Sequence, residues 1–265
     1  MRRFTLFCVL VCAISVVPSA GAIIGGTPDG DEHPYVAFVG DPVTRASCSA
    51  TLVSPTLAVT AAHCFAPGAT VVVFPYAAGP RDGRPPVVGR FVPHPDFCKP
   101  PACQGDDLED FVTDDVAVVR LAEPVALAHY ARLPKVEKDS DRGQGGDALD
   151  REDKGKEKKF KPTDVQLVGF GVQGFDPAPF SDFSRTIARE ETARPNPVVA
   201  DKFLEIDQEA SGFCLGDSGG PVLEKKKDVV LAISSFVAET ETCLGPSYSY
   251  RLDTRAAQDF IRSFE

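Results

Sequence analysis

Short β-prone stretches, each cut off by Asp, Pro or Gly, constrain this chain more than any other feature. They lie at 35–39, 49–53, 57–62 and 70–74, continue at 87–92 and 116–121, and resume after a gap at 165–172, 221–223, 229–236 and 248–252. Stretches of this length, closed by turn-forming residues, read as antiparallel strands and argue against a helical bundle. Two β clusters with a connector between them is the simplest organisation. The 265 residues suffice for one large domain or for two small ones sharing an interior, so size leaves both open. Gly and Pro, at 22 and 23 residues, supply the turns that a loop-rich fold needs.

Two segments depart from the β pattern. Residues 135–161 are packed with Lys, Arg, Asp, Glu and Gly, and their apolar residues are only Val136, Ala148, Leu149 and Phe160. With so little to bury, this segment reads as a solvated connector. The tail 253–264 carries Ala256, Ala257, Phe260, Ile261 and Phe264 at helical spacing, with Asp253 placed to cap a short closing helix.

The first 22 residues have the build of a secretory signal. Arg2 and Arg3 precede an apolar run at 4–17, and Ala20, Gly21 and Ala22 form an A-x-A cleavage pattern. The run is shorter than the roughly 20 residues that a membrane span needs. Secretion is therefore expected, with no membrane association once the signal is removed. The formal charge of −10 becomes more negative without Arg2 and Arg3, which excludes nucleic acid as a partner and otherwise serves solubility.

Cys8 and Cys12 fall inside the signal, leaving Cys48, Cys64, Cys98, Cys103, Cys214 and Cys243. An even number in an oxidising compartment points to three disulfides, and six cysteines alone permit 15 connectivities.

Three segments bring together the residue types that amide hydrolysis requires, namely an activated nucleophile, a base that takes and returns its proton, and donors for a developing oxyanion. They are Thr60-Ala61-Ala62-His63-Cys64, Asp115-Val116-Ala117-Val118-Val119, and Gly216-Asp217-Ser218-Gly219-Gly220-Pro221. Glycines around Ser218 allow a tight turn in which the N–H groups of Gly216 and Ser218 converge as an oxyanion hole. His63 suits proton transfer because an imidazole accepts and donates near neutrality. Alone, each has a structural reading, and Asp114 rivals Asp115; their combination favours catalysis. His33 and His94 each precede Pro and read as turn residues, His129 lies near the connector, and the acidic group Asp106, Asp107, Glu109 and Asp110 reads as a solvated loop.

On these motifs the chain resembles the trypsin and chymotrypsin family of serine proteases, with T-A-A-H-C, D-[IV]-A and G-D-S-G-G-P in the family's order. Ile23-Ile24-Gly25-Gly26 resembles the family's activated N-terminus, and Tyr250-Arg251-Leu252 precedes a similar final helix. The resemblance implies an all-β fold of two packed antiparallel six-stranded β-barrels, at 23–134 and 163–265, joined by the connector 135–162. It implies His63, Asp115 and Ser218 as the triad, an activation pair of Ile23 and Asp217, and disulfides Cys48–Cys64 and Cys214–Cys243, which leaves Cys98 to pair with Cys103. It further implies a monomer that needs no cofactor or metal, with polypeptide substrates and protein protease inhibitors as partners. A catalytically idle homologue acting as a binding protein is the competing expectation.

Alignment with the family places the specificity pocket at Gly212, Phe213, Ser235, Val237 and Ser247. An uncharged Gly212 floor argues against Arg or Lys before the scissile bond, and bulk at Phe213 and Val237 favours small aliphatic residues. Glu239 and Glu241, in a long loop at 238–242, are the feature that opposes this expectation.

Overall fold

A computed structural model of the protein describes residues 23–97, 114–136, 163–175, 178–195 and 202–265. The expected signal segment, the Cys98–Cys103 loop with its neighbouring acidic group, and nearly all of the connector lie outside the described residues.

In the first half, β2 (Val36–Gly40), β3 (Ser47–Ser54), β4 (Leu57–Thr60), β5 (Thr70–Phe74), β6 (Val87–Pro93) and β7 (Ala117–Leu121) follow β1 (Thr27–Pro28). Strands β2 to β7 close a six-stranded antiparallel barrel in the order β2-β3-β4-β7-β6-β5, with β2 pairing β5 to complete the ring. Buried apolar residues drive closure. Val36, Ala37, Val39, Ala50, Leu52, Val59, Val71, Val73, Phe91 and Val119 are fully buried in one core. Burial of this apolar surface, at roughly 25 cal/mol per Å2, is the main force holding the barrel.

The second half contains β8 (Thr163–Gly169), β9 (Gly174–Phe175), β10 (Pro179–Phe180), β11 (Thr186–Pro195), β12 (Phe203–Gln208), β13 (Pro221–Glu224), β14 (Val230–Val237), β15 (Gly245–Arg251) and the helix α1 (Arg255–Arg262). Its main sheet has seven strands in the order β1-β11-β12-β15-β14-β13-β8, and β8 also pairs with β11. Six strands thus return on themselves, and the seventh is the short β1, held by Thr27 opposite Ile187 and Pro28 opposite Thr186. The expected six strands describe the first barrel; the second sheet gains one because the chain entering at Ile23 runs along its edge. Ile23 is itself fully buried among Val165, Leu167, Leu204, Ile206 and Phe213.

Polar ties join the two halves. Buried Arg185 donates from Nε to Asp29 at 2.8 Å, from Nη1 to the Val36 carbonyl at 2.9 Å and from Nη2 to the Gly30 carbonyl at 2.7 Å. His33 also bonds Asp29, which fits its structural reading. Burial tends to raise the Asp29 carboxyl, but His33 and Arg185 outweigh it and hold the group below its ordinary value. Helix α1 closes the molecule over the first barrel: Gln258 Nε2 donates to the carbonyls of Pro134 (2.6 Å) and Leu252 (2.9 Å), and Phe260 packs on His94. Its N-cap is Thr254, whose hydroxyl accepts from the Ala257 N–H at 3.3 Å. Asp253, the expected cap, instead takes two hydrogen bonds from Arg251, at 2.9 and 2.8 Å.

Candidate active site

His63 stands in a single 3-10 turn, Ala62–Cys64, just beyond the end of β4. The turn is fixed by the Cys48–Cys64 disulfide, which ties it back to β3. Asp115 precedes β7, the neighbour of β4, so the barrel register delivers both residues to one rim. Asp114 has φ +50°, and this left-handed residue divides the two carboxylates. Asp114 accepts from the Tyr250 hydroxyl at 2.8 Å, whereas Asp115 turns inward to His63. Fully buried Asp115 accepts from the His63 backbone N–H through Oδ1 at 2.9 Å and meets Nδ1 through Oδ2 at 2.8 Å. This double grip sets the ring's orientation and leaves Nε2 as the nitrogen available for proton transfer. Burial would raise the Asp115 carboxyl; the His63 charge and the hydrogen bonds from His63 and Ser235 outweigh it and hold it below the usual range.

Ser235 supplies a contact that the sequence reading did not assign. The β14–β15 register slips between Ser234 and Phe236, so Ser235 is the extra residue of a bulge. Bulges re-aim side chains, and here the Ser235 hydroxyl donates to Asp115 Oδ2.

The Ser218 turn is locked onto the rim of the first barrel. A Cβ on Gly219, where φ is +77°, would lie 2.2 Å from Thr60 Oγ1, 2.5 Å from the Ser49 carbonyl oxygen and 2.7 Å from Ala61 N. The turn therefore sits directly on the segment leading into His63, and Cys64 Sγ is 3.9 Å from the Ser218 carbonyl oxygen. Ser49 binds this junction from several atoms. Its N–H donates to the Ser218 carbonyl (2.9 Å) and its hydroxyl to the Gly216 carbonyl (3.2 Å), while it accepts from Phe170 N–H (3.0 Å) and the Thr60 hydroxyl (2.7 Å). Among the described residues, the N–H groups of Gly216 and Ser218 have no protein acceptor, which leaves them free for an oxyanion. We expect Gly219→Ala to lower stability by about 2 kcal/mol or more and to reduce activity at least tenfold, since either Thr60 or the serine turn must move. Melting temperature and peptide hydrolysis of the purified variant check both effects.

Next to Ser218, fully buried Asp217 accepts from the N–H groups of Gly171 (2.8 Å) and Cys214 (2.9 Å). Gly169 and Gly171 make room for it, since a Cβ on either would meet the carboxyl group at 2.0 Å and 2.7 Å. Desolvation exceeds the help of these two donors, and the carboxyl group is pushed up to about 8. No cation accompanies it among the described residues. Ile24 forms a two-way backbone bridge with Gly212, at 3.1 and 3.0 Å, which draws the Ile23 segment alongside the pocket sequence.

The pocket residues divide by position. Val237 and Ser247 oppose each other on β14 and β15, and the Cys214–Cys243 disulfide joins the two adjoining segments. The Phe213 side chain lies in the core of the second sheet. Glu239 and Glu241 are exposed, and Glu239 accepts from the Glu241 N–H within its own loop at 3.1 Å. The sequence reading passed over Gln208, which is buried against Gly212. Among the described residues the one gathering of potential metal-binding atoms is Cys48, His63 and Cys64, and both sulfurs are consumed by the disulfide.

The fold is shared with solved structures of low sequence identity. HL collagenase superposes with a TM-score of 0.66 at 20% identity, covering 91% of this chain and 98% of that one. Human heparin binding protein superposes with a TM-score of 0.62 at 19% identity, covering 91% and 96%. The trypsin family model matches residues 23–259, nearly the whole of the described structure. This chain belongs to the trypsin family.

Proposed function

We propose that the protein is a secreted serine endopeptidase that hydrolyses polypeptides through an acyl-enzyme on Ser218. The observation that carries this reading is the grip of buried Asp115 on both the ring and the backbone of His63, beside a serine turn with two open N–H groups. In that geometry His63 takes the Ser218 proton as Oγ attacks the carbonyl carbon. The N–H groups of Gly216 and Ser218 receive the oxyanion, and His63 returns the proton to the leaving amine. Water then repeats the sequence and frees Ser218. A fluorophosphonate that labels wild type but not Ser218→Ala separates this enzyme from an idle homologue that only binds.

Secretion and maturation enter the same reading. Cleavage after Ala22 frees the amine of Ile23, and that cation compensates Asp217 in its buried cradle. An α-amino group with an ordinary pKa near 8 is cationic at neutral pH, so export yields an active enzyme without a separate activating protease.

The side chain before the scissile bond is small and aliphatic in this proposal. Gly212 carries no charge, and the carboxylates of Glu239 and Glu241 are solvated on an exposed loop. In a peptide library, substrates with Ala or Val at that position are expected to be cut faster than those with Arg or Lys. A strong Arg preference would reverse the assignment and put Glu239 or Glu241 at the pocket mouth.

A further inference from the structure

A glycine at position 212 would by itself leave a hole in the floor of the specificity pocket. The hole is filled. A Cβ built on Gly212 would lie 2.1 Å from Cδ, 2.4 Å from Cγ and 2.6 Å from Nε2 of Gln208, so the Gln208 side chain occupies the space into which a residue at 212 would project. Gln208 ends β12 and is 2% exposed. Its cross-strand partner is Gly245, which has no side chain to compete for the same volume.

The carboxamide is held at both ends. Nε2 donates to the Phe213 carbonyl at 3.0 Å and to the Cys243 carbonyl at 2.7 Å, using both of its hydrogens, and Oε1 accepts from the Phe213 N–H at 2.7 Å. Gln208 thus links the two segments that the Cys214–Cys243 disulfide also joins. Three hydrogen bonds on a buried amide leave it little rotational freedom. The same face of the sheet continues to Ser247, which lies opposite Ile206 and whose buried hydroxyl has no hydrogen-bond partner among the described residues. Gln208 and Ser247 thus bring uncharged polar groups to this face.

We infer that Gln208 sets the depth of the specificity pocket, its side chain forming the floor that Gly212 does not supply. This rests on the protease reading above and names the residue responsible for the small-residue preference. It also means that a carboxylate installed at 212 has no space while Gln208 is present, so Gly212→Asp alone does not create basic specificity.

The test compares kcat/KM for peptides that differ only in having Ala, Val, Leu or Phe before the scissile bond, with active enzyme counted by fluorophosphonate labelling. Gln208→Ala is expected to raise the Leu-to-Ala and Phe-to-Ala ratios by about tenfold or more, the scale on which a hydrophobic pocket discriminates methylene groups. Gln208→Met fills the same volume without the hydrogen bonds and should keep both ratios within about threefold of wild type. If Gln208→Ala does not fold, Gln208→Asn retains the carboxamide one methylene shorter and should shift the ratios in the same direction. Unchanged ratios in a labelled, active Ala or Asn variant overturn the inference, as does a shift in the Met variant equal to that of Ala. A wild type that neither labels nor cleaves any of the peptides overturns the protease reading itself.

Discussion

Replacing Ser218 by Ala is expected to leave a folded protein that cleaves peptides several powers of ten more slowly. The nucleophile disappears, while the open N–H groups of Gly216 and the residue at 218 still polarise a carbonyl, so only the residual catalysis of that hole and of binding remains. Stability should change little, because the turn is anchored through backbone atoms: Ser49 N–H to the Ser218 carbonyl, and Gly219 N–H to the Ser234 carbonyl at 2.8 Å. Single-turnover peptide assays alongside thermal melts provide the check. A variant retaining more than about a tenth of the wild-type rate would remove Ser218 from the chemistry.

Asp217→Asn should show a different pH dependence in the two forms of the chain. In an uncleaved chain the buried carboxyl, pushed up to about 8, remains protonated when folded over a range where the unfolded chain has already released its proton. Between about pH 4 and 8 the folded state therefore binds the extra proton, and stability falls as pH rises, at no more than about 1.4 kcal/mol per pH unit. Asn does not titrate. At pH 4 uncleaved Asp217→Asn should melt below the uncleaved wild type, because its NH2 cannot accept the Gly171 or Cys214 N–H as the oxygen it replaces does, and that deficit should shrink as pH rises to 8. In the processed form proposed above, where the Ile23 amine would stabilise the charged carboxylate, the same substitution should lower the melting temperature and severely reduce activity. An N-terminal extension retained on the secreted form should abolish activity. If the active protein begins anywhere but Ile23, or an extended form is equally active, this activation mechanism is wrong.

Strands of the first barrel were legible because their residues are apolar and bounded by turns; β5 and β7 match the expected spans closely. Strands β11 and β12 were not. The sequence of β11, Thr186–Pro195, is charged along much of its length, and β12 reads Phe-Leu-Glu-Ile-Asp-Gln, whose short apolar–polar alternation is the mark of a half-buried strand but was passed over in favour of more continuous apolar runs. His63 and Asp115 could be paired from motif and resemblance, since each motif is local. Ser235 and Gln208 act through a register slip and a side-chain rotamer, and neither is encoded in neighbouring residues. Gly169 and Gly171 carried a signal in hindsight: glycines two residues apart at the end of a strand mark a close approach, here that of Asp217.

The four bonds made by Ser49 have a consequence for motion. Domains within one chain commonly flex about their interface, and loops at such a cleft open on a slower timescale than side chains move. Here one contact between the halves also scaffolds the Ser218 turn, because Ser49 belongs to β3 yet holds Gly216, Ser218 and Phe170. Any excursion that parts the barrels must first break the bonds that shape the serine turn. Opening of the halves at Ser49 and an intact serine turn are thereby mutually exclusive, and amide exchange at Ser49 should report, in one signal, the fraction of molecules in which this junction has parted.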